Sequence, residues 1–115
     1  MIRLRWRDYR TEKGRRPVRE FIASLTPTEA VEVLAAMHDV ATLGLTVARH
    51  LRGDLYEVRV STDSRDFRVL FAQEAKFVLL SLSAFKKRTQ KTPLAEIELA
   101  LARLADWRER GRRPS

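Results

Sequence analysis

Residues 2–9 alternate strictly between two sets of side chains, with Ile2, Leu4 and Trp6 on one face and Arg3, Arg5, Arg7 and Tyr9 on the other. A period of two residues is typical of a strand with one buried face and one solvated face. The polar residues 11–16, which include Gly14, then read as a turn. We therefore predict a strand over residues 2–9 that exposes the Tyr9 ring, followed by a polar turn.

Two helices are predicted next, because apolar side chains recur at helical spacing. Pro17 suits a first helical turn, and it is followed by the apolar stripe Val18, Phe21, Ile22 and Leu25. Residues 26–29, Thr-Pro-Thr-Glu, have the form of a capping box, and Gly44 is a natural helix terminator. This second helix is predicted to bury Ala30, Leu34, Met37 and Ala41. Because the connection is so short, the two helices should form an antiparallel hairpin.

The second half of the chain returns to alternation. It predicts strands over residues 55–60 and 67–71, joined by a turn at 61–64. After a second turn at 73–75, residues 77–85 are apolar on both faces, which is typical of a strand covered from both sides. A basic run, residues 86–91, leads into Thr92 and Pro93, which open a last helix with the apolar stripe Leu94, Ile97, Leu101 and Leu104.

The predicted element order is β-α-α-β-β-β-α, within a single domain of residues 1–115 whose last residues, 111–115, form a flexible tail. Two helices separate the first strand from the others, so we expect it to pair parallel with one of them. The predicted fold class is α+β. One twisted, mostly antiparallel sheet carries an N-terminal helical hairpin and a C-terminal helix.

Charge and composition narrow the functional classes. The chain has 23 Lys plus Arg against 15 Asp plus Glu, a net charge of +8, which favours a polyanionic partner such as nucleic acid or an acidic protein. The lack of cysteine excludes disulfides and thiolate metal sites, and no glycine-rich phosphate loop is present. We expect neither a metal nor a cofactor. No apolar signal core and no uninterrupted apolar stretch of membrane-spanning length occurs, so we expect a cytoplasmic protein without a membrane partner.

Four segments of the second half carry a family resemblance: Leu55-Tyr56-Glu57-Val58-Arg59, Phe67-Arg68-Val69-Leu70-Phe71, Phe85-Lys86-Lys87 and Lys91-Thr92-Pro93. With the element order, they resemble the phage-derived, HigB-type branch of the RelE/ParE toxin superfamily. The resemblance covers nearly the whole chain and is sharpest over residues 51–105. Its most specific part is the Phe-Lys-Lys element that leads into Thr-Pro and a helix.

The resemblance implies a RelE-like fold and a toxin of a type II toxin–antitoxin system. Such toxins are ribonucleases, many of which cut messenger RNA in the ribosomal A site. The RelE-like enzymes use no metal, and the substrate's own 2′-hydroxyl attacks the adjacent phosphate. A helix-turn-helix antitoxin neutralises the toxin and represses the shared operon, so operator DNA is reached only through the antitoxin. Two alternatives of the same fold stay open: a ParE-like inhibitor of DNA gyrase, and a non-catalytic nucleic-acid-binding module.

Cleavage by this route needs cations that hold the phosphate and stabilise the extra negative charge of the transition state. Arginine suits this task because its planar fork matches phosphate oxygens, and lysine can hold phosphate or move a proton. The candidate catalytic residues are Arg59, Arg68, Lys86 and Lys87. We predict that the two arginines share the polar face of neighbouring strands, and that the two lysines point in opposite directions.

A purely structural interpretation of the arginines stays open. If residues 61–64 form the hairpin loop, Glu57 lies opposite Arg68 and Asp66 lies opposite Arg59. Such opposite-charge pairs stabilise a hairpin without any catalysis.

Further candidates for RNA binding flank these positions: Arg49, His50 and Arg52 before the strand at 55–60, Arg88 and Lys91 in the basic run, and Tyr9 in the first strand. A histidine can move protons, and an exposed tyrosine can stack on a base. Several RelE-like enzymes use a tyrosine or histidine near the C-terminus. This chain has neither after Tyr56, so the resemblance assigns no general acid.

Overall fold

The computed structural model describes residues 3–112. Its helices and strands, in chain order, are β1 (Arg5–Asp8), α1 (Pro17–Ala23), α2 (Pro27–Leu43), β2 (Arg49–Arg52), β3 (Leu55–Ser61), β4 (Asp66–Glu74), β5 (Val78–Lys86) and α3 (Leu94–Arg112). A short 3-10 helix, Gly44–Val47, joins α2 to β2. The predicted positions at Ile2 and in the tail at 113–115 lie outside the described residues.

The strands form one five-stranded sheet in the order β1-β5-β4-β3-β2. β1 pairs parallel with β5, and every other neighbouring pair is antiparallel. The α+β fold class and the parallel pairing of the first strand are therefore confirmed. β2 was not predicted, because Arg-His-Leu-Arg carries no apolar alternation. It forms by backbone pairing with β3, with Arg49 opposite Glu57 and His50 opposite Tyr56.

The sheet is covered on both faces, which divides the interior into two cores. On one face α1 and α2 pack on side chains of β3 and β4 such as Val58, Val69 and Phe71. On the other face α3 packs on Leu70 and Leu82. We name these the α1/α2 face and the α3 face. Two-sided cover explains why residues 77–85, which include most of β5, are apolar on both faces.

The stripe that α2 buries is rotated from the predicted one. Met37 and Ala41 are buried as predicted, but they are joined by Val33 and Val40, and Leu34 is 52% exposed. The prediction failed at Leu34 because apolar residues occupy almost the whole circumference of this helix, so spacing alone does not select a face. A non-local hydrogen bond also ties this helix to the sheet, since Trp6 Nε1 of β1 donates to the Met37 carbonyl oxygen at 2.6 Å.

The predicted capping box at the start of α2 is confirmed. The Thr26 hydroxyl oxygen accepts from the Glu29 N–H, and the Glu29 carboxylate accepts from the Thr26 N–H. The Arg65 guanidinium donates two hydrogen bonds of 2.8 Å to the same carboxylate, and these hold the pKa of Glu29 far below its usual range. The cap therefore also fastens α2 to the β3–β4 turn.

By length and composition, the segment Pro27–Val47 is apolar enough to cross a membrane. One side of it packs on the sheet through the buried stripe just described. Its apolar character is therefore weak evidence for a membrane span.

Candidate nucleic-acid interface

The β3–β4 hairpin turns one residue later than predicted. Its loop is residues 62–65, so that Arg59 lies opposite Arg68 and Glu57 lies opposite Leu70. The predicted register, with Glu57 opposite Arg68, is wrong because the Thr62 side chain closes the turn by accepting from the Arg65 N–H at 2.9 Å. The observed register differs from the predicted one by two residues. Because this is an even number, every side chain stays on the face that was predicted for it. Glu57, Arg59 and Arg68 therefore still share the α3 face.

Arg68 and Glu57 form a buried network beneath the segment that leads into α3. The side chains of both residues are fully buried, and Arg68 Nη1 lies 3.7 Å from Glu57 Oε2. Arg68 Nη1 donates to the Thr92 hydroxyl at 3.0 Å, and that hydroxyl in turn donates to Glu57. Arg68 Nη2 also donates to the carbonyl oxygens of Thr89 and Gln90. The predicted surface position of Arg68 is thus wrong: residues 87–93 fold over it, and it holds them in place.

Three arginines are electrostatically coupled around Glu57. Burial lowers the pKa of Arg68, the Glu57 carboxylate opposes that shift, and the nearby charges of Arg59 and Arg49 add to it. Arg49 lies on the same face as Glu57, its partner in the β2–β3 pairing. Glu57 is thus the counter-charge around which these cations gather.

Arg59 is paired directly with Glu57 and still reaches solvent, with a side chain 40% exposed. Its Nε donates to Glu57 Oε1 at 2.9 Å, which fixes the direction of the guanidinium. Among residues 3–112, Arg59 makes no other side-chain hydrogen bond, so its terminal nitrogens are available to a ligand. Arginine in this arrangement can present its fork to two phosphate oxygens.

A cleft of about 540 Å³ opens in front of Arg59, between β2 and the start of α3. We name it the basic cleft; it is lined by Arg49, His50, Leu51, Arg59, Gln90, Lys91, Thr92 and Ile97. Within the described part of the chain, no carboxylate lies within ion-pair distance of Arg49 or Lys91. The structure therefore brings together three of the predicted cations, Arg49, Arg59 and Lys91, and leaves them open to an anionic ligand.

The other basic-run residues lie elsewhere. Lys86 is paired with Phe67, a core residue of the α1/α2 face, so it points away from Arg59 and the predicted patch that joined them is wrong. Lys87 lies 3.9 Å from Asp66 and, with Arg88, lines a separate cleft of about 450 Å³. Gln90 lines both clefts, which therefore lie on either side of residues 87–91.

Tyr9 is not a stacking platform, because α3 covers it. The residue is buried, and its hydroxyl donates to Asp106 at 2.6 Å. Burial, followed by the neighbouring Asp106 carboxylate, raises the pKa of this phenol. The predicted exposure of Tyr9 is wrong because α3 covers it. The local pattern could not show this, since Asp106 is 97 residues away in the chain.

His50 and Arg52 are exposed on β2. The His50 ring packs edge-on against Tyr56, with 5.2 Å between ring centroids, and its Nε2–H donates to the Gly53 carbonyl at 2.7 Å. Because His50 pairs with Tyr56, whose side chain packs on the α1/α2 face, the His50 ring points away from Arg59.

Sequence reasoning missed the part played by Thr92. Its Thr-Pro pair indicated only a helix start, whereas its hydroxyl links Arg68 to Glu57. Gln90, Leu51 and Ile97 were also missed, since nothing in their spacing marks a cleft. No group of three or more His, Cys, Asp or Glu side chains suited to a metal gathers within residues 3–112.

Comparison with known proteins bears on the same segments. The family model of phage-derived Gp49-like proteins matches residues 20–105. The protein named probable endoribonuclease HigB1 of Mycobacterium tuberculosis, in strains CDC 1551 / Oshkosh and H37Rv, is 33% identical over 106 residues, which cover 90% of this chain and 84% of that protein. The resemblance predicted from residues 51–105 is thereby confirmed, and the chain belongs to the phage-derived Gp49-like family, the HigB-type branch of the RelE/ParE toxins.

Proposed function

We propose that this protein is the toxin of a type II toxin–antitoxin system, an endoribonuclease that cuts messenger RNA on the ribosome. The toxin and endoribonuclease assignments follow from the family and from the similarity to a probable endoribonuclease. The observation that carries the site is the basic cleft, where Arg49, Arg59 and Lys91 face solvent around the buried Glu57. Three cations with a single buried carboxylate behind them leave a net positive charge in the cleft, which attracts an RNA phosphate.

In the proposed reaction, the 2′-hydroxyl oxygen of the substrate attacks the adjacent phosphorus, and the 5′-oxygen of the next nucleotide leaves. The products are a 2′,3′-cyclic phosphate and a new 5′-hydroxyl. Arg59 binds the non-bridging oxygens, where negative charge grows in the transition state. Because Glu57 already holds the Arg59 Nε, the guanidinium needs little reorganisation when the phosphate arrives.

Protons must leave the 2′-hydroxyl and reach the departing 5′-oxygen. Lys91 lines the basic cleft and carries an amine able to take part in these transfers, whereas the His50 ring packs on Tyr56, a side chain of the α1/α2 face. Arg49 adds a second positive charge at the phosphate. Arg68 and Glu57 are buried away from the substrate, so we assign them as positioning residues: Arg68 holds residues 89–92, and Glu57 directs Arg59. The proposed chemistry requires no metal.

The partners we propose are the messenger RNA, the ribosome and a helix-turn-helix antitoxin that links the toxin to operator DNA. All of these belong to the cytoplasm. The net charge of +8 suits RNA and an acidic antitoxin alike.

The attack by the 2′-hydroxyl is tested by removing it. A messenger RNA with one 2′-deoxynucleotide at the mapped cleavage position should resist cutting there in a translating extract, while the same change three nucleotides away should have no effect. Unmodified RNA should yield a 2′,3′-cyclic phosphate end, and RNA without ribosomes should stay intact. Cutting of the deoxy substrate would contradict this chemistry. Intact transcripts together with a DNA-damage response in cells would instead indicate a gyrase inhibitor.

A further inference from the structure

α2 is strongly apolar and yet largely exposed. Only 22% of its most apolar stretch is buried within the molecule. Leu34 is 52% exposed, and Val31, about one helical turn earlier on the same side, is 62% exposed. Exposed apolar side chains that gather on one element mark an interaction surface more often than a solvated one.

A groove of about 630 Å³ lies beside Leu34, between β1, α1 and α2. We name it the α2 groove; its apolar lining includes Leu4, Trp6, Ile22, Leu34, Met37 and Ala41. Its walls are held together without a partner, since Trp6 Nε1 donates to the Met37 carbonyl and the Leu4 N–H donates to the Ala41 carbonyl at 2.9 Å. A preformed apolar groove of this size can accept two or three large side chains from another molecule.

The rim of the α2 groove is cationic. Arg3 and Arg19 line it and are exposed, and within the described residues neither lies within ion-pair distance of a carboxylate. Among the residues that the structure describes, the Arg3 side chain makes one hydrogen bond, to the His38 ring at 3.5 Å. The one acidic residue of the lining, Asp8, accepts a hydrogen bond of 2.8 Å from the Ser81 hydroxyl. Unpaired cations beside an apolar floor, in a chain of net charge +8, are complementary to an acidic amphipathic ligand.

The α2 groove also lies away from the RNA site. It is built on the α1/α2 face, whereas Arg59 and Glu57 belong to the α3 face. A ligand of this groove therefore binds a surface that the proposed reaction does not use.

We propose that the α2 groove binds an acidic amphipathic helix of the antitoxin. Apolar side chains at i and i+3 or i+4 of that helix enter the groove, and its carboxylates pair with Arg3 and Arg19. This inference rests on the proposed function, because the antitoxin is the partner assigned there.

The test uses the protein encoded beside this chain's gene as the binding probe, with affinity measured by titration calorimetry. Leu34→Asp should weaken binding by about 30-fold or more, because a charge replaces an exposed apolar side chain that lines the groove. Leu99→Asp is the matched control, since Leu99 is a similarly exposed leucine, 41%, on α3. Arg19→Glu, which alters no internal ion pair among the described residues, should also weaken binding.

The outcomes separate the two proposals. Leu34→Asp should remain as toxic as the unmodified chain when produced alone, because it leaves the basic cleft intact. Unweakened binding by Leu34→Asp and Arg19→Glu would overturn the groove assignment while leaving the proposed function standing. Equal losses of affinity in Leu34→Asp and Leu99→Asp would also overturn the groove assignment. The same holds if the isolated chain forms a homodimer and Leu34→Asp dissociates it, because the groove would then bind a second copy of this chain. No binding by the unmodified chain, with no toxicity, would contradict the proposed function itself.

Discussion

Arg59→Ala is expected to slow ribosomal cleavage of messenger RNA by about 10²–10³-fold, the loss that follows removal of one transition-state donor. Arg59 is the cation whose guanidinium is both fixed by a buried carboxylate and open to the basic cleft. The measurement is the single-turnover cleavage rate on programmed ribosomes. Arg59→Lys should recover only part of the rate, since lysine keeps the charge but lacks the fork that spans two phosphate oxygens.

Arg5→Ala is the matched control, because Arg5 is an exposed arginine of β1, on the far edge of the sheet from β2 and β3. It should cut at close to the unmodified rate. The melting temperature of Arg59→Ala should stay near that of the unmodified chain, since Glu57 keeps Thr92 and Arg68 as partners. An Arg59→Ala variant that cuts as fast as Arg5→Ala would remove Arg59 from the reaction.

The second large effect concerns stability. Arg68→Met is expected to lower the free energy of unfolding by about 3–5 kcal/mol, because it leaves the buried Glu57 carboxylate without its buried counter-charge. The carbonyl oxygens of Thr89 and Gln90 lose their donor at the same time. Chemical denaturation measures this loss, and the melting temperature should fall by roughly 10–20 °C.

A double variant separates the charge from the packing. Adding Glu57→Gln to Arg68→Met removes the buried negative charge that has lost its buried counter-charge, and it should recover a substantial part of the lost stability. The contrary result is an Arg68→Met variant whose free energy of unfolding stays within about 1 kcal/mol of that of the unmodified chain. In that case Arg68 does not hold the network together.

Local pattern predicted most of the fold. Alternation over residues 55–60 and 67–71 and the two-sided apolar run at 77–85 correspond to β3, β4 and β5. Local pattern failed where a distant contact decides the outcome. β2 has no alternation and exists through pairing with β3, and the face that α2 buries is decided by how Val33 and Val40 pack on the sheet.

The candidate site shows the same division. Alternation correctly placed Arg59 and Arg68 on one face, but burial of Arg68 depends on how residues 87–93 fold across it. The face on which Lys86 lies depends on a register shift between β4 and β5 near Leu70. The spacing of apolar residues does not predict that shift. The basic cleft itself is assembled from β2, β3 and the approach to α3, and it becomes visible only when those segments meet.

Cross-linking tests most directly whether RNA lies in the basic cleft. A messenger RNA with 4-thiouridine beside a non-cleavable 2′-deoxynucleotide in the ribosomal A site would be irradiated with this protein bound, and the attached peptides identified by mass spectrometry. We expect cross-links within residues 49–51 and 90–92, which line the basic cleft with Arg59. Cross-links confined to residues 19–38, on the α1/α2 face, would contradict the placement of RNA against Arg59.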